Sequence, residues 1–84
     1  DKRGHEVDFV LARDKARPAA VECKLKAENF DPAGLQSFRR RYPGGANFVT
    51  AQNVSRSYTS TFGGLKVTFI PLADLSAELI ANKS

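Results

Sequence analysis

Two short runs near the start of the chain alternate between apolar and polar residues with a period of two. They read "HEVDFVLA" at 5–12 and "AAVECKLK" at 19–26. This period is typical of β-strands with one buried face. Because only the polar segment "RDKARP" separates the runs, we expect them to pair as an antiparallel hairpin. The pairing is restricted to registers that place both apolar faces on the same side of the sheet.

One register satisfies this restriction with a five-residue loop at 13–17. It places Phe9 opposite Val21, and Val7 opposite Cys23, on the apolar face. Cys23 is therefore expected to be a small buried hydrophobe. It is also the single cysteine of the chain. It can form no internal disulfide, which fits a reducing, cytoplasmic location.

The middle of the chain predicts a helix. Asp31 and Pro32 form a helix start, with a capping carboxylate followed by a proline at the first helical position. Leu35, Phe38 and Tyr42 recur at helical spacing and are expected to face the core. The segment "YPGG" then ends the helix.

The last part of the chain predicts two more strands and a second helix. The strands are expected at 46–52 and 65–70, with the polar loop "NVSRSYTSTFGG" at 53–64 between them. After Pro71, leucines at 72, 75 and 79 predict a short amphipathic helix. The expected order is β-β-α-β-β-α. It favours an α/β or α+β fold with helix covering one face of the sheet.

Length and composition set the class of protein. The chain has 84 residues, of which 42% are hydrophobic and 26% charged, as in ordinary globular proteins. We expect one domain, 1–84, with no membrane-spanning or signal segment. Because the chain lacks an initiator methionine, we expect it to be a fragment of a longer protein. Its net charge of +4 is compatible with nucleic-acid binding.

The polar face of the hairpin carries the residues that most suggest chemistry. The predicted register places Asp8 opposite Glu22, and Glu6 opposite Lys24. Two carboxylates facing each other across a ladder repel, and a bound Mg²⁺ would remove that repulsion. A neighbouring lysine could stabilise the charge of a phosphoryl transition state. The alternative is an ordinary exposed face of surface ion pairs.

The same residues carry a resemblance to a known family. An aspartate on one strand, followed by Glu-x-Lys on the next, resembles the PD-(D/E)XK nuclease superfamily. The phrase "GHEVDFVL…PAAVECKLKA" is similar to one branch of it, the nuclease-like domain at the C-terminal end of bacterial and archaeal AAA-type ATPases. The helix pattern from Gly34-Leu35 to Arg41-Tyr42-Pro43, and the ending "VTFIPLADL", also resemble that branch.

The resemblance implies a role for each matching residue. Asp8 and Glu22 would be ligands of Mg²⁺ or Mn²⁺, and Lys24 would position water and stabilise charge. Glu6 and Gln36 would be accessory residues. The fold implied is restriction-endonuclease-like, and its N-terminal helix and first strand would be missing from this fragment.

Four basic residues, Lys26, Arg39, Arg40 and Arg41, are candidates for nucleic-acid contacts. Lys26 lies on the strand face that carries the acids. The arginines form a run late in the helix, where they could bind phosphates. Alternatively, they are favourably placed cations at a helix C-terminus.

These observations lead to two hypotheses of different classes. The first is metal-dependent hydrolysis of DNA by a PD-(D/E)XK-type site that is attached to an AAA-type ATPase. The second is a nuclease fold without catalysis, which would bind DNA, regulate the ATPase domain or assemble as a homo-oligomer. Exposed sheet edges in a short chain favour self-association.

Overall fold

The structure, a computed structural model, describes residues 9–11 and 17–81. In chain order its elements are β1 (Phe9–Leu11), β2 (Ala19–Lys24), a short 3₁₀ helix (Ala27–Asn29), α1 (Ala33–Arg41), β3 (Asn47–Ala51), β4 (Tyr58–Phe62), β5 (Leu65–Phe69) and α2 (Leu72–Ala81).

The strands form a single mixed sheet in the order β1-β2-β3-β5-β4. The three central strands, β2, β3 and β5, run parallel, while β1 and β4 pair antiparallel at the two edges. This arrangement confirms an α/β fold, and the sheet is mixed. The predicted register of the first hairpin is also confirmed, because Phe9 lies opposite Val21.

The expected order β-β-α-β-β-α is wrong in one respect. Strand β4 lies inside the segment 53–64 that was expected to be a loop. Its residues do not alternate between polar and apolar, but threonine and aromatic residues favour extended backbone. Gly63 and Gly64 follow, with φ of 56° and 86°. Both angles suit the two-residue turn of a tight hairpin, so β4 folds back onto β5.

Both faces of the sheet are covered. On one face Leu35 of α1 packs against Val49 and Val67. On the other face Leu75 of α2 packs against Val21 and Phe48. The helices therefore sandwich the parallel strands. Helix α1 is the crossover connection from β2 to β3, whereas α2 follows the last strand, β5, and packs back on the opposite face. Neither α1 nor α2, the α-helices of the described part, is long and apolar enough to cross a membrane.

This double cover corrects the expected faces of β2. Glu22 is buried and Cys23 is exposed, the reverse of the prediction. The strand also ends at Lys24, and Leu25 is 70% exposed. The alternation indicated two faces correctly, but it could not say which face helix α1 would cover. Cys23 shares a face with Val21 but lies nearer the end of the strand.

The predicted helix start is close to the observed one. Helix α1 begins at Ala33, whose N–H donates to the side-chain carboxylate of Asp31 over 3.0 Å. Pro32 precedes it with φ of −70°. In α2, Leu75 is buried as expected, but Leu72 is 68% exposed.

A glycine after α1 permits close contact between two backbone segments. A Cβ added at Gly45 would lie 2.2 Å from the carbonyl oxygen of Pro18, and φ there is +120°. The loop after α1 therefore packs directly against the chain that enters β2. Only glycine meets both requirements.

We predict that Gly45→Ala lowers the free energy of unfolding by about 3 kcal/mol, because it adds a clash to an unfavourable φ. The control is Gly64→Ala, at φ +86° with no atom within 4 Å of an added Cβ. It should cost only about 1 kcal/mol. Urea unfolding of both variants measures the difference. Equal losses would contradict a tight contact at Pro18.

Candidate functional site

Glu22 on β2 is the most deeply buried acidic side chain of the described chain. The residue is 3% exposed and pairs in register with Val49 of β3. A carboxylate removed from water needs a compensating charge or hydrogen bonds. Lys24, two residues along the strand, supplies that charge. Its Nζ lies 3.7 Å from Oε1 of Glu22.

Lys24 connects this buried carboxylate to the surface. Its side chain is 33% exposed, whereas that of Glu22 is 4% exposed. Lys24 also ends β2, and its register partner Ala51 ends β3. The pair therefore lies towards the carboxyl ends of two adjacent parallel strands. Ligands commonly bind at these ends in α/β sheets.

The other two acids predicted for this face, Asp8 and Glu6, lie outside the described residues. Their positions opposite Glu22 and Lys24 stay predictions. These predicted positions follow from the register of the β1–β2 hairpin. In the direction of Asp8, the pairing of Phe9 with Val21 is the last one that the structure describes. Among the residues described, no three His, Cys, Asp or Glu side chains are grouped so that they could hold a metal.

Gln36, the predicted accessory residue, lies elsewhere. Its side-chain Nε2 donates to the carbonyl oxygen of Phe62 over 3.4 Å. Phe62 belongs to β4, the edge strand that β3 and β5 separate from β2. The structure therefore associates Gln36 with the β4–β5 hairpin and not with Glu22. The spacing of Gln36 after the Glu-x-Lys motif could not predict which strand this face of α1 would contact.

Arg39, one of the four predicted nucleic-acid contacts, is buried at 8% exposure. Its Nε donates to Oδ1 of Asn47 over 2.7 Å. The four remaining N–H groups donate to backbone carbonyls, those of Tyr42, Gly44, Pro18 and Ala46. All five guanidinium donors are thus used inside the fold. This placement corrects the prediction for Arg39, because no donor remains for a phosphate.

Burial has an electrostatic consequence for Arg39. Desolvation by burial lowers the pKa of its guanidinium below the ordinary value of an arginine. The group nevertheless stays protonated in proteins. Its positive charge is shared among the oxygen atoms that accept its hydrogen bonds. None of these acceptors is a carboxylate. Asn47 extends the network, since its Nδ2 donates to the carbonyl of Lys66 over 2.9 Å.

The other three basic candidates remain on the surface. Lys26, Arg40 and Arg41 are all exposed. The guanidinium carbon of Arg41 lies 5.8 Å from the centre of the Tyr42 ring. Arg40 lines a groove beside the Gly63-Gly64 turn. Their availability for phosphate contacts is compatible with the prediction, which stays a prediction.

Sequence reasoning missed Asn53. Its Oδ1 accepts the N–H of Ala27 and its Nδ2 donates to Oε1 of Glu28, both over 2.8 Å. Asn53 therefore ties the 3₁₀ helix after β2 to the loop after β3. No local pattern signals a contact between residues so distant along the chain. Only the parallel pairing of β2 and β3 brings them together.

Comparisons with protein-family models, with curated proteins and with solved structures find no match to this chain.

We predict that Arg39→Lys lowers the free energy of unfolding by about 3 kcal/mol. A lysine has three donors in place of five and cannot reproduce their planar arrangement, so buried carbonyls lose their partners. The matched control is Arg40→Lys on the exposed neighbour, which should change stability by less than about 0.5 kcal/mol. Chemical denaturation compares the two variants. Similar stability of both would show that Arg39 is not structurally required.

We predict that NMR titration places the pKa of Glu28 below the ordinary value of a glutamate, and that Asn53→Ala raises it. Its own backbone N–H and then the Asn53 amide hold this pKa below its ordinary value by hydrogen bonding to the carboxylate. A lowered folded pKa means that the stabilisation is present above the unfolded pKa and is lost as pH falls through the folded pKa. Gln52→Ala, in the same turn, is the control. An unchanged pKa in Asn53→Ala would refute the assignment.

Proposed function

We propose that the chain is a metal-dependent phosphodiesterase of the PD-(D/E)XK type that acts on DNA. In the longer protein it would be attached to an AAA-type ATPase. The observation that carries the proposal is the buried Glu22 beside the partly exposed Lys24, on the second strand of an antiparallel hairpin. This is the strand on which the resemblance requires Glu-x-Lys.

The donor set suits a hard divalent cation. Mg²⁺ and Mn²⁺ prefer carboxylate oxygens, and Glu22 provides one such group on β2. Asp8 would provide the second if the register continues one residue beyond Phe9. A metal bound there would polarise a phosphate and lower the pKa of a bound water.

Lys24 has the position of a charge-stabilising residue. Its ammonium group offsets the buried carboxylate of Glu22, while a third of its side chain faces solvent. A cation held by an ion pair at a strand end is already oriented before an anionic substrate arrives. Such preorganised charge is the main means by which a protein stabilises developing negative charge.

The first experiment is a calorimetric titration of Mn²⁺ into the chain and into Asp8→Asn and Glu22→Gln. We expect the unmodified chain to bind Mn²⁺, and each variant to bind at least about tenfold more weakly, equivalent to 1.4 kcal/mol. The control is Glu28→Gln, which removes an exposed carboxylate and should leave binding unchanged. Circular dichroism verifies folding. Equal binding by all four proteins would overturn the assignment of these ligands.

The second experiment separates catalysis from metal binding. Lys24→Ala should retain Mn²⁺ binding and lose at least about 100-fold in the rate of DNA cleavage, since it removes one charge-stabilising group. The control is Lys66→Ala, which removes an exposed lysine of β5 and should cut DNA at the original rate. Cleavage by Lys24→Ala at the original rate would contradict the role of this lysine.

A non-catalytic DNA-binding module is the second candidate, favoured by the exposed cations Lys26, Arg40 and Arg41. It predicts binding to DNA that weakens steeply with salt, without cleavage and without dependence on Lys24. The same titrations and cleavage assays therefore distinguish the two functions.

A further inference from the structure

Strand β4 leaves one edge of the sheet open. It pairs with β5 on one side, and no other strand of the described chain pairs with its other side. The strand "YTSTF" contains no charged residue, proline or glycine. Its five residues pair one to one with those of β5, without a bulge. Protein sheets usually protect an exposed edge with charged residues, prolines or bulges. Strand β4 has none of these, so its edge is suited to pairing with another strand.

The register decides which backbone groups face the open side. A two-residue turn closes the hairpin on Phe62 and Leu65, and such a closing pair is hydrogen bonded. Because hydrogen-bonded and non-hydrogen-bonded pairs alternate, Phe62, Ser60 and Tyr58 bond to β5. The N–H and C=O groups of Thr59 and Thr61 therefore point to the open edge.

The residue pattern of β4 is symmetric about its centre. Aromatic residues stand at both ends, Tyr58 and Phe62, threonines stand next to them, and Ser60 is central. A second antiparallel copy centred on Ser60 would place Thr59 opposite Thr61 of that copy. Those are the residues whose backbone groups face outwards, so four new hydrogen bonds would form. The same twofold axis would place Tyr58 opposite Phe62 of the second copy.

An aromatic cluster ends at this edge. Tyr58 stacks on Phe69 with centroids 4.9 Å apart and planes at 7°, while Phe62 meets Phe30 edge-on at 5.3 Å. Tyr58 is nevertheless 46% exposed. Facing aromatic residues in a non-hydrogen-bonded pair approach closely and stabilise a sheet. A second copy would therefore continue the cluster across the interface.

We propose that the chain forms a twofold dimer through β4, with Ser60 on the axis. The partner is a second copy, because an unrelated strand would not share the symmetric pattern. Two uncharged strands meet without repulsion. Each copy uses its one β4 edge, so the assembly closes at two chains. The result is a continuous sheet that carries the two β1–β2 hairpins at its outer ends.

The proposed interface between the two β4 strands is small, so the dimer is expected to be weak. A five-residue strand pair with two aromatic contacts buries less than the roughly 1,200 Å² of a standard interface. We therefore expect a reversible dimer. Sedimentation should show the mass rising from one chain towards two between about 10 µM and 1 mM. A chain that stays monomeric across this range would overturn the proposal.

A matched pair of variants tests the outward backbone groups. Thr61→Pro removes an outward N–H without removing a bond to β5, so dimerisation should weaken at least about tenfold. Thr61→Val keeps the N–H and the β-branched shape, and should dimerise as before. Circular dichroism establishes that both fold. A dimer that Thr61→Pro leaves intact would locate the interface elsewhere and overturn the proposal.

Charge variants test the register independently. Thr59 and Thr61 are exposed, so T59K/T61K and T59E/T61E are expected to fold. Each alone would place like charges opposite each other and should be monomeric, whereas their mixture should form a heterodimer. A mixture without heterodimer, or homodimers of either variant, would overturn this pairing.

Discussion

The guanidinium group of Arg39 joins the three segments that meet at the amino-terminal edge of the parallel strands. It bonds to the carbonyl of Pro18 before β2, to the loop after α1, and to Asn47 at the start of β3. A buried carbonyl without a hydrogen-bond donor costs free energy of folding. The loop that leads from α1 to β3 therefore depends on the hydrogen bonds of this one side chain. Gly45 permits the necessary close approach.

The candidate site depends on that same return of the chain. Because β3 runs parallel to β2, the connection between them crosses over the sheet, and its helix α1 covers the face that carries Glu22. The carboxylate then lies inside the fold, paired with Lys24 at the strand end. A charged pair on an exposed face would contribute little. Burial is therefore what distinguishes this pair from ordinary surface charges and what makes the proposed chemistry worth testing.

Sequence reasoning succeeded where neighbouring residues decide the outcome. The alternation in the first hairpin was sufficient for the register of Phe9 and Val21, and Asp31 marked the start of α1. It failed where distant contacts decide. A run of three arginines looked uniform, yet Arg39 is buried while its neighbours are exposed. The strand in 58–62 was missed because its polarity resembles that of a loop.

The sequence by itself determined the α/β class, the first hairpin and its register, and the Glu-x-Lys spacing, because these depend on side-chain period and turn length. Only the tertiary structure decided that Glu22 is buried and Cys23 exposed, that Gln36 meets β4, and that Arg39 is structural. The physical reason is that burial depends on which helix covers a sheet face, and a strand's own alternation is the same whichever face is covered.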